Sequence, residues 1–192
     1  MELIFATNNQ HKVEEIQAAI GSKVNIRTLA DAGIDIDIPE PHDTLEENAL
    51  EKSKTIHQLT QVNCFSEDTG LEVESLNGEP GVKSARYAGD EKNFHKNILK
   101  LLKKLEGQPN RNARFRTVIS LIWNNTPFFF EGVCKGRIIA NERGANGFGY
   151  DPVFVPDGSE KTFAEMDLIE KNRYSHRQKA ADKLVSFLQN AS

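Results

Sequence analysis

The chain opens on an apolar run, "ELIFA" at Glu2–Ala6, which predicts a buried strand. A short polar turn follows. Val13, Ile16 and Ile20 then recur at helical spacing in "HKVEEIQAAIG", with Gly21 at the stop. The same spacing predicts a second helix in "DTLEENALEKSKTIHQL", with Leu45, Ala49, Ile56 and Leu59 along one side and a capping box from Thr44 to Glu47. "VNCFSEDTGLEVESL" reads as a strand, an acidic turn, and a second strand with Leu71 and Val73 alternating. "DEKNFHKNILKLLKKLEG" is the clearest amphipathic helix, carrying Phe94, Ile98, Leu101, Leu102 and Leu105 on one stripe, Asp90 near the cap and Gly107 past the end. "ARFRTVISLIW" and "PFFFEGVCKGRIIA" are β-rich and joined by the turn "NNTP". A last helix, "SHRQKAADKLVSFLQ", shows a capping pattern from Ser175 to Gln178 and an apolar face of Ala181, Leu184, Val185 and Leu188.

This order of elements predicts an α/β fold with a mixed sheet, since the strands after Arg114 look hairpin-connected. There is no internal repeat, no low-complexity tract and no clean linker. At 192 residues the chain suits one domain of moderate size or two closely joined lobes. Hydrophobic residues at 38% and charged residues at 27% are those of a soluble globular protein. A net charge of -4 gives no basic excess, so neither nucleic acid nor an anionic membrane surface is expected as a partner. The apolar start is too short for a signal peptide, and no run approaches ~20 apolar residues, so no membrane span is expected. Cys64 and Cys134 form no disulfide framework and no metal-ligand spacing, which points to a reducing cytoplasm.

Chemistry enters at five places. "TNNQHK" (Thr7, Asn8, Asn9, Gln10, His11, Lys12) leads from a strand into a helix start, where unpaired amides, the helix dipole and Lys12 suit a phosphate. It lacks the glycines of a P-loop, and taken alone the simpler reading is that Thr7 or an Asn caps the helix and Lys12 is solvated. "SEDTG" (Ser66–Gly70) places adjacent carboxylates after an apolar strand, which fits a hard cation and a proton acceptor for water, or else a solvated turn. In "IPEPHDT" two prolines fix the angle at which Glu40 is presented, as a second metal ligand or as part of a stiff loop. "GANGFGYDPVFVPDG" (Gly144–Gly158) offers the rings of Phe148 and Tyr150 for stacking, with Gly147 and Gly149 letting the backbone approach a ligand. "SHR" (Ser175–Arg177) puts cations at a helix start, which dipole arguments disfavour unless a carbonyl or anion offsets them. Lys171 lies shortly before.

Taken in order, "TNNQHK", "PE" before "ENALEKS", "EDTGLEV" with "GVKSARYAG", "GFGYDPVF" and a lysine four residues before "SHR" resemble the inosine triphosphate pyrophosphatase family. The resemblance runs from the first strand to the last helix. The family's acidic motif usually reads Asp-Asp-Ser-Gly, whereas here it is Glu67-Asp68-Thr69-Gly70. The resemblance implies a single two-lobed domain over 1–192, an ITPase/Maf-like α/β fold with a long mixed central sheet flanked by helices, a cleft between the lobes, and a homodimer. It implies Mg²⁺-dependent hydrolysis of ITP, dITP or XTP to the monophosphate and pyrophosphate. By position it implies that Thr7 to Lys12 and Lys52 bind the triphosphate, that Glu40 and Asp68 hold Mg²⁺, and that Asp68 activates water. It further implies that Thr69 touches substrate, that Phe148 stacks on the purine with Gly149, Tyr150 and Asp151 lining the pocket, and that Lys171, His176 and Arg177 read the base.

Overall fold

A computed structural model describes residues 2–191, so the two end positions of the expected domain lie outside the described residues. The helices are α1 (Gln10–Ile20), α2 (Leu45–Thr60), α3 (Phe94–Lys104), α4 (Leu168–Asn172) and α5 (His176–Asn190). The strands are β1 (Glu2–Phe5), β2 (Asn25–Thr28), β3 (Cys64–Val73), β4 (Pro80–Gly81), β5 (Asn112–Trp123), β6 (Thr126–Ile138) and β7 (Phe154–Pro156). They form a mixed sheet in the order β2-β1-β3-β5-β6-β7, with β4 paired to β3. β1 runs parallel to both β2 and β3, while β4 and β7 are antiparallel to their partners. The expected hairpin joins β5 to β6 through Asn124 and Asn125, both with positive φ, the backbone a tight two-residue turn requires.

The chain divides into two compact units, and β3, β5 and β6 contribute residues to each. The first comprises residues up to Asp68, Thr117–Gly132 and the segment from His176 onward. In it, alternation along β1 and β3 serves two apolar clusters. Leu3, Phe5 and Phe65 pack with Val13 and Ile16 of α1 and Ala181 and Leu184 of α5. Ile4, Ala6 and Cys64 pack with Leu29 and with Ile56 of α2. Odd and even strand positions therefore face different helices, as the period of two dictates. The second unit, Thr69–Arg116 with Val133–Ser175, has its own core. There Ile98 and Leu101 of α3 and Leu105 just past its end meet Leu71, Val73, Phe115, Phe154 and Phe163.

Several expectations need correction. The acidic motif is not a turn between two strands: Cys64–Val73 is one continuous strand. Gly70 makes this possible at close quarters, because a Cβ there would lie 2.7 Å from the Gly81 carbonyl oxygen of β4. Leu59 is 61% exposed, in the last turn of α2. Helical angle gives the face a residue occupies, not whether protein lies beneath it. Phe94 is likewise exposed at the start of α3, and Asn93, not Asp90, accepts the Lys96 amide as N-cap. Thr44 does cap α2 through the Glu47 amide, but its hydroxyl donates to the Glu47 carboxylate. β2, β4, β7 and α4 are too short to have left a periodic signature in the sequence.

Candidate active site

Strand parity sets the site. Phe65 faces the α1–α5 cluster and Cys64 the α2 side, so Glu67 continues the first row and Asp68 the second. On the α2 side, the Ser66 hydroxyl donates to the Ala49 carbonyl at 2.5 Å, and Ser53 of α2 meets Ser120 of β5 at 2.9 Å. These bonds fix α2 against the strand and set Lys52 opposite Asp68. The Lys52 ammonium lies 2.5 Å from a Glu40 oxygen and 3.3 Å from Asp68 Oδ1. Glu40 is delivered by a stretch in which Ile34, Ile36 and Ile38 pack at every second position against the α2-side cluster. Burial alone would neutralise this lysine, yet Asp68 and Glu40 hold its pKa above the ordinary value. Burial pushes Asp68 up, against the pull of Lys52 and Lys12.

On the other side, Glu67 is the hub of a buried charge network. Arg177 at the start of α5 donates to both its oxygens, Nε at 2.7 Å and Nη2 at 3.0 Å. Its Nη1 donates to Glu15 of α1. Lys12 Nζ lies 3.1 Å from Glu67 Oε1. Burial would raise the Glu67 pKa, but Arg177 and then Lys12 outweigh it and hold the carboxyl at about 2. The same two carboxylates raise the Arg177 pKa despite its burial. Glu67 thus faces Arg177 and Lys12, while the Lys52 bridge joins Glu40 to Asp68.

The turn between β1 and α1 is ordered by its own side chains. Thr7 Oγ1 accepts the Asn9 amide at 3.2 Å, and Asn9 Oδ1 accepts the Lys12 amide at 3.2 Å as N-cap. Asn8 Nδ2 donates to the Ile36 carbonyl at 2.8 Å, tying the turn to the stretch that carries Glu40. Capping therefore holds here, and it leaves Gln10 and His11 exposed in the first turn of an eleven-residue helix.

In the second unit the glycine–aromatic loop closes on Asp151. That carboxylate accepts the Phe148 amide at 3.0 Å and the Lys171 ammonium at 2.6 Å. Gly147, at φ +72, permits the approach, since a Cβ there would lie 2.0 Å from Asp151 Oδ2. Lys171 Nζ lies 5.5 Å from the Phe148 ring centre and 5.1 Å from that of Phe163. Phe94 flanks Phe148 with ring centres 6.0 Å apart. Gly149 is half-buried beside it. Tyr150 is in the core, and its hydroxyl donates to the Ser84 carbonyl at 2.8 Å, so only its backbone remains to line a pocket.

The expected site residues thus fall into two sets. Thr7 to Lys12, Glu40, Lys52, Asp68, His176 and Arg177 belong to the first unit; Thr69, Phe148 to Asp151 and Lys171 belong to the second. Sequence reasoning missed Glu15, because nothing distinguishes it from its neighbour Glu14 except that α1 buries one and exposes the other. It also missed Gly132 of β6, where a Cβ would lie 2.0 Å from the His176 carbonyl oxygen. Among the described residues, no three or more His, Cys, Asp or Glu side chains group to hold a metal ion. Glu40 and Asp68 share the Lys52 ammonium, and a carboxylate pair of this kind fits Mg²⁺, which takes one or two carboxylates and completes its shell with water and substrate phosphates.

The mixed α/β sheet thus buries adjacent carboxylates of β3, Glu67 beside Lys12 and Asp68 beside Lys52. The sequence model of the Ham1 family matches residues 3–187. The dITP/XTP pyrophosphatase of Flavobacterium psychrophilum is 48% identical over 190 residues, covering 99% of this chain and all of its own. That of Porphyromonas gingivalis is 50% identical over 188 residues, covering 97% of each. The Staphylococcus aureus Ham1 protein superposes with a TM-score of 0.90 at 37% identity over the whole of both chains. A nucleoside-triphosphatase/dITP/XTP pyrophosphatase from Mycobacterium abscessus gives 0.77 at 36% identity, over 96% of this chain and 98% of its own. The chain belongs to the Ham1 family, and it is a hydrolase.

Proposed function

We propose that the protein hydrolyses non-standard purine nucleoside triphosphates, ITP, dITP and XTP, to the monophosphate and pyrophosphate, and that it requires Mg²⁺. The observation that carries this reading is the Lys52 ammonium held between Glu40 and Asp68 in a buried setting. Mg²⁺ held by those carboxylates supplies charge neutralisation of the phosphates. Asp68 takes the proton of the attacking water. Lys12, Lys52 and the first turn of α1 oppose the charge that builds on the leaving pyrophosphate. Thr69 sits next to Asp68 on the same strand and contacts substrate through its hydroxyl.

At the other end, Phe148 stacks on the purine, with the backbone of Gly149 to Asp151 along its edge. Asp151 keeps Lys171 in place, and Lys171 and His176 donate to the 6-oxo group. Adenine carries an amine there and leaves those donors unpaired, at roughly 1–3 kcal/mol for each buried group. We further propose a cytoplasmic homodimer; among the described residues no helix is long and apolar enough to cross a membrane. The test is pyrophosphate release from ITP, dITP, XTP, GTP and ATP, with and without Mg²⁺. Release from the first three that depends on Mg²⁺ supports the reading. Equal turnover of ATP, or none of ITP, overturns it.

A further inference from the structure

The apolar stripe of α3 runs past the core it serves. Ile98 and Leu101 are buried, whereas Phe94, one turn earlier on the same stripe, is 38% exposed. A single exposed apolar side chain is ordinary on a protein surface. What distinguishes this one is its neighbour. Its ring centre lies 6.0 Å from that of Phe148 with the planes 49° apart, the geometry of a tilted aromatic pair. Both residues belong to the second unit. We infer that Phe94 is a positioning residue for Phe148: it holds the plane of the stacking ring, so that the purine meets a platform already set. The inference rests on the base stack of the proposed reaction.

The backbone of Phe148 is held by one residue. The Asp151 carboxylate accepts its amide at 3.0 Å, and its carbonyl accepts the Asp151 amide at 3.2 Å. Neither bond fixes the ring, whose outer torsion has a broad energy well. The glycines on either side, at φ +72 and +62, bring no side chain to wedge it. Support has to come from another element, and α3 is tied to this loop through a shared anchor, the segment from Ser84 to Ala88. Asn97, one turn along from Phe94 and 2% exposed, donates to the Ala85 carbonyl at 3.0 Å and accepts the Ala88 amide at 2.7 Å. Tyr150, two residues after Phe148, donates to the Ser84 carbonyl at 2.8 Å. Both members of the ring pair are therefore fastened, through a near neighbour, to the same short segment. At the front of the helix, Asn93 caps α3 by accepting the Lys96 amide at 2.9 Å, which makes Phe94 its first residue. A ring oriented before the ligand arrives loses less freedom on binding.

A double-mutant cycle tests this. Wild type, Phe94→Ala, Phe148→Ala and the double variant are compared for KM and kcat with ITP. The same four are made in an Asp68→Asn background, where calorimetry reads affinity for ITP without its consumption. Inorganic tripolyphosphate, a probe with no base, is titrated alongside. A change at an exposed first-turn position leaves the core intact. Phe94→Ala is expected to raise the ITP KM and weaken ITP affinity about three- to tenfold, the range of a lost aromatic pair, with kcat and tripolyphosphate affinity unchanged. Phe94→Tyr keeps the ring and should restore the wild-type KM. In the Phe148→Ala background the Phe94 change should add nothing. Losses that multiply would place Phe94 on the substrate itself and overturn the inference. So would an equal loss for tripolyphosphate, or ITP affinity unchanged in Phe94→Ala. If Phe148→Ala binds ITP as tightly as wild type, the stack fails and the inference falls with it. A wild type that releases no pyrophosphate from ITP, while the affinity cycle runs as expected, defeats the proposed reaction and leaves the positioning role standing.

Discussion

Glu67 and Asp68 are neighbours of similar chemistry that the strand sends to different helices, and their surroundings give them different work. Glu67 is held by Arg177 and Lys12 and kept ionised far into acid, which suits an anchor. Asp68 is pushed up by burial and faces Lys52, which suits a group that exchanges a proton. Asp68→Asn should therefore bind ITP within a few-fold of wild type but release pyrophosphate roughly a thousandfold more slowly, the scale of a lost general base. Stopped-assay turnover alongside calorimetric binding checks this, and full turnover would remove Asp68 from the chemistry. Phe148 tests the opposite end. Its ring is half-buried and flanked by Lys171 and Phe94. Phe148→Ala should weaken ITP about ten- to a hundredfold, the range of a lost base stack, and leave tripolyphosphate affinity as it was. An equal loss for both ligands would refute the stacking role.

At the scale of elements, α1, α2, α3 and α5 and the β5–β6 hairpin were legible because each carries enough residues to show its period. The acidic motif misled, since polar and small residues in "SEDTG" resemble a turn when the partners that bury them are invisible. Pairing with β1 and β4 makes a strand of it, and the Ser66–Ala49, Lys52–Asp68 and Arg177–Glu67 contacts that take up its polar side chains join residues 16 or more positions apart. The start of α5 depends on a feature of the same kind. Gly132 lets β6 pass against His176, where a side chain would meet the His176 carbonyl and the Ala180 amide. Gly132→Ala should lower stability by about 1–3 kcal/mol, as overpacking does, because backbone atoms cannot rotate away. It should also raise the KM for ITP, since His176 and Arg177 begin that helix. A urea midpoint equal to wild type would show that β6 and α5 can part without penalty.

For the molecule as a whole, the sequence order of motifs was enough to expect an α/β fold, but not the buried charge network within it. Lys12, Glu15, Glu67 and Arg177 come from three separated segments, and a lone glutamate on a helix carries no mark of its partner. That network ties α1, β3 and α5 together and should make the protein sensitive to acid through one group. The Glu67 pKa falls from the ordinary 4.5 to about 2 on folding, so the unfolded chain binds the proton more readily. Its contribution is complete above the unfolded pKa, near pH 4.5, and disappears as pH falls through the folded value near 2. The shift corresponds to a loss on the order of 3 kcal/mol. Urea unfolding of the wild type should therefore weaken steadily from about pH 5 downward. Glu67→Gln cannot titrate there; it should be less stable than wild type at pH 7, because Arg177 and Lys12 keep their charge without its partner, and its stability should decline less steeply toward pH 3. Parallel profiles for the two proteins below pH 5 would mean that other carboxylates govern acid unfolding and that Glu67 is not the proton-sensitive link.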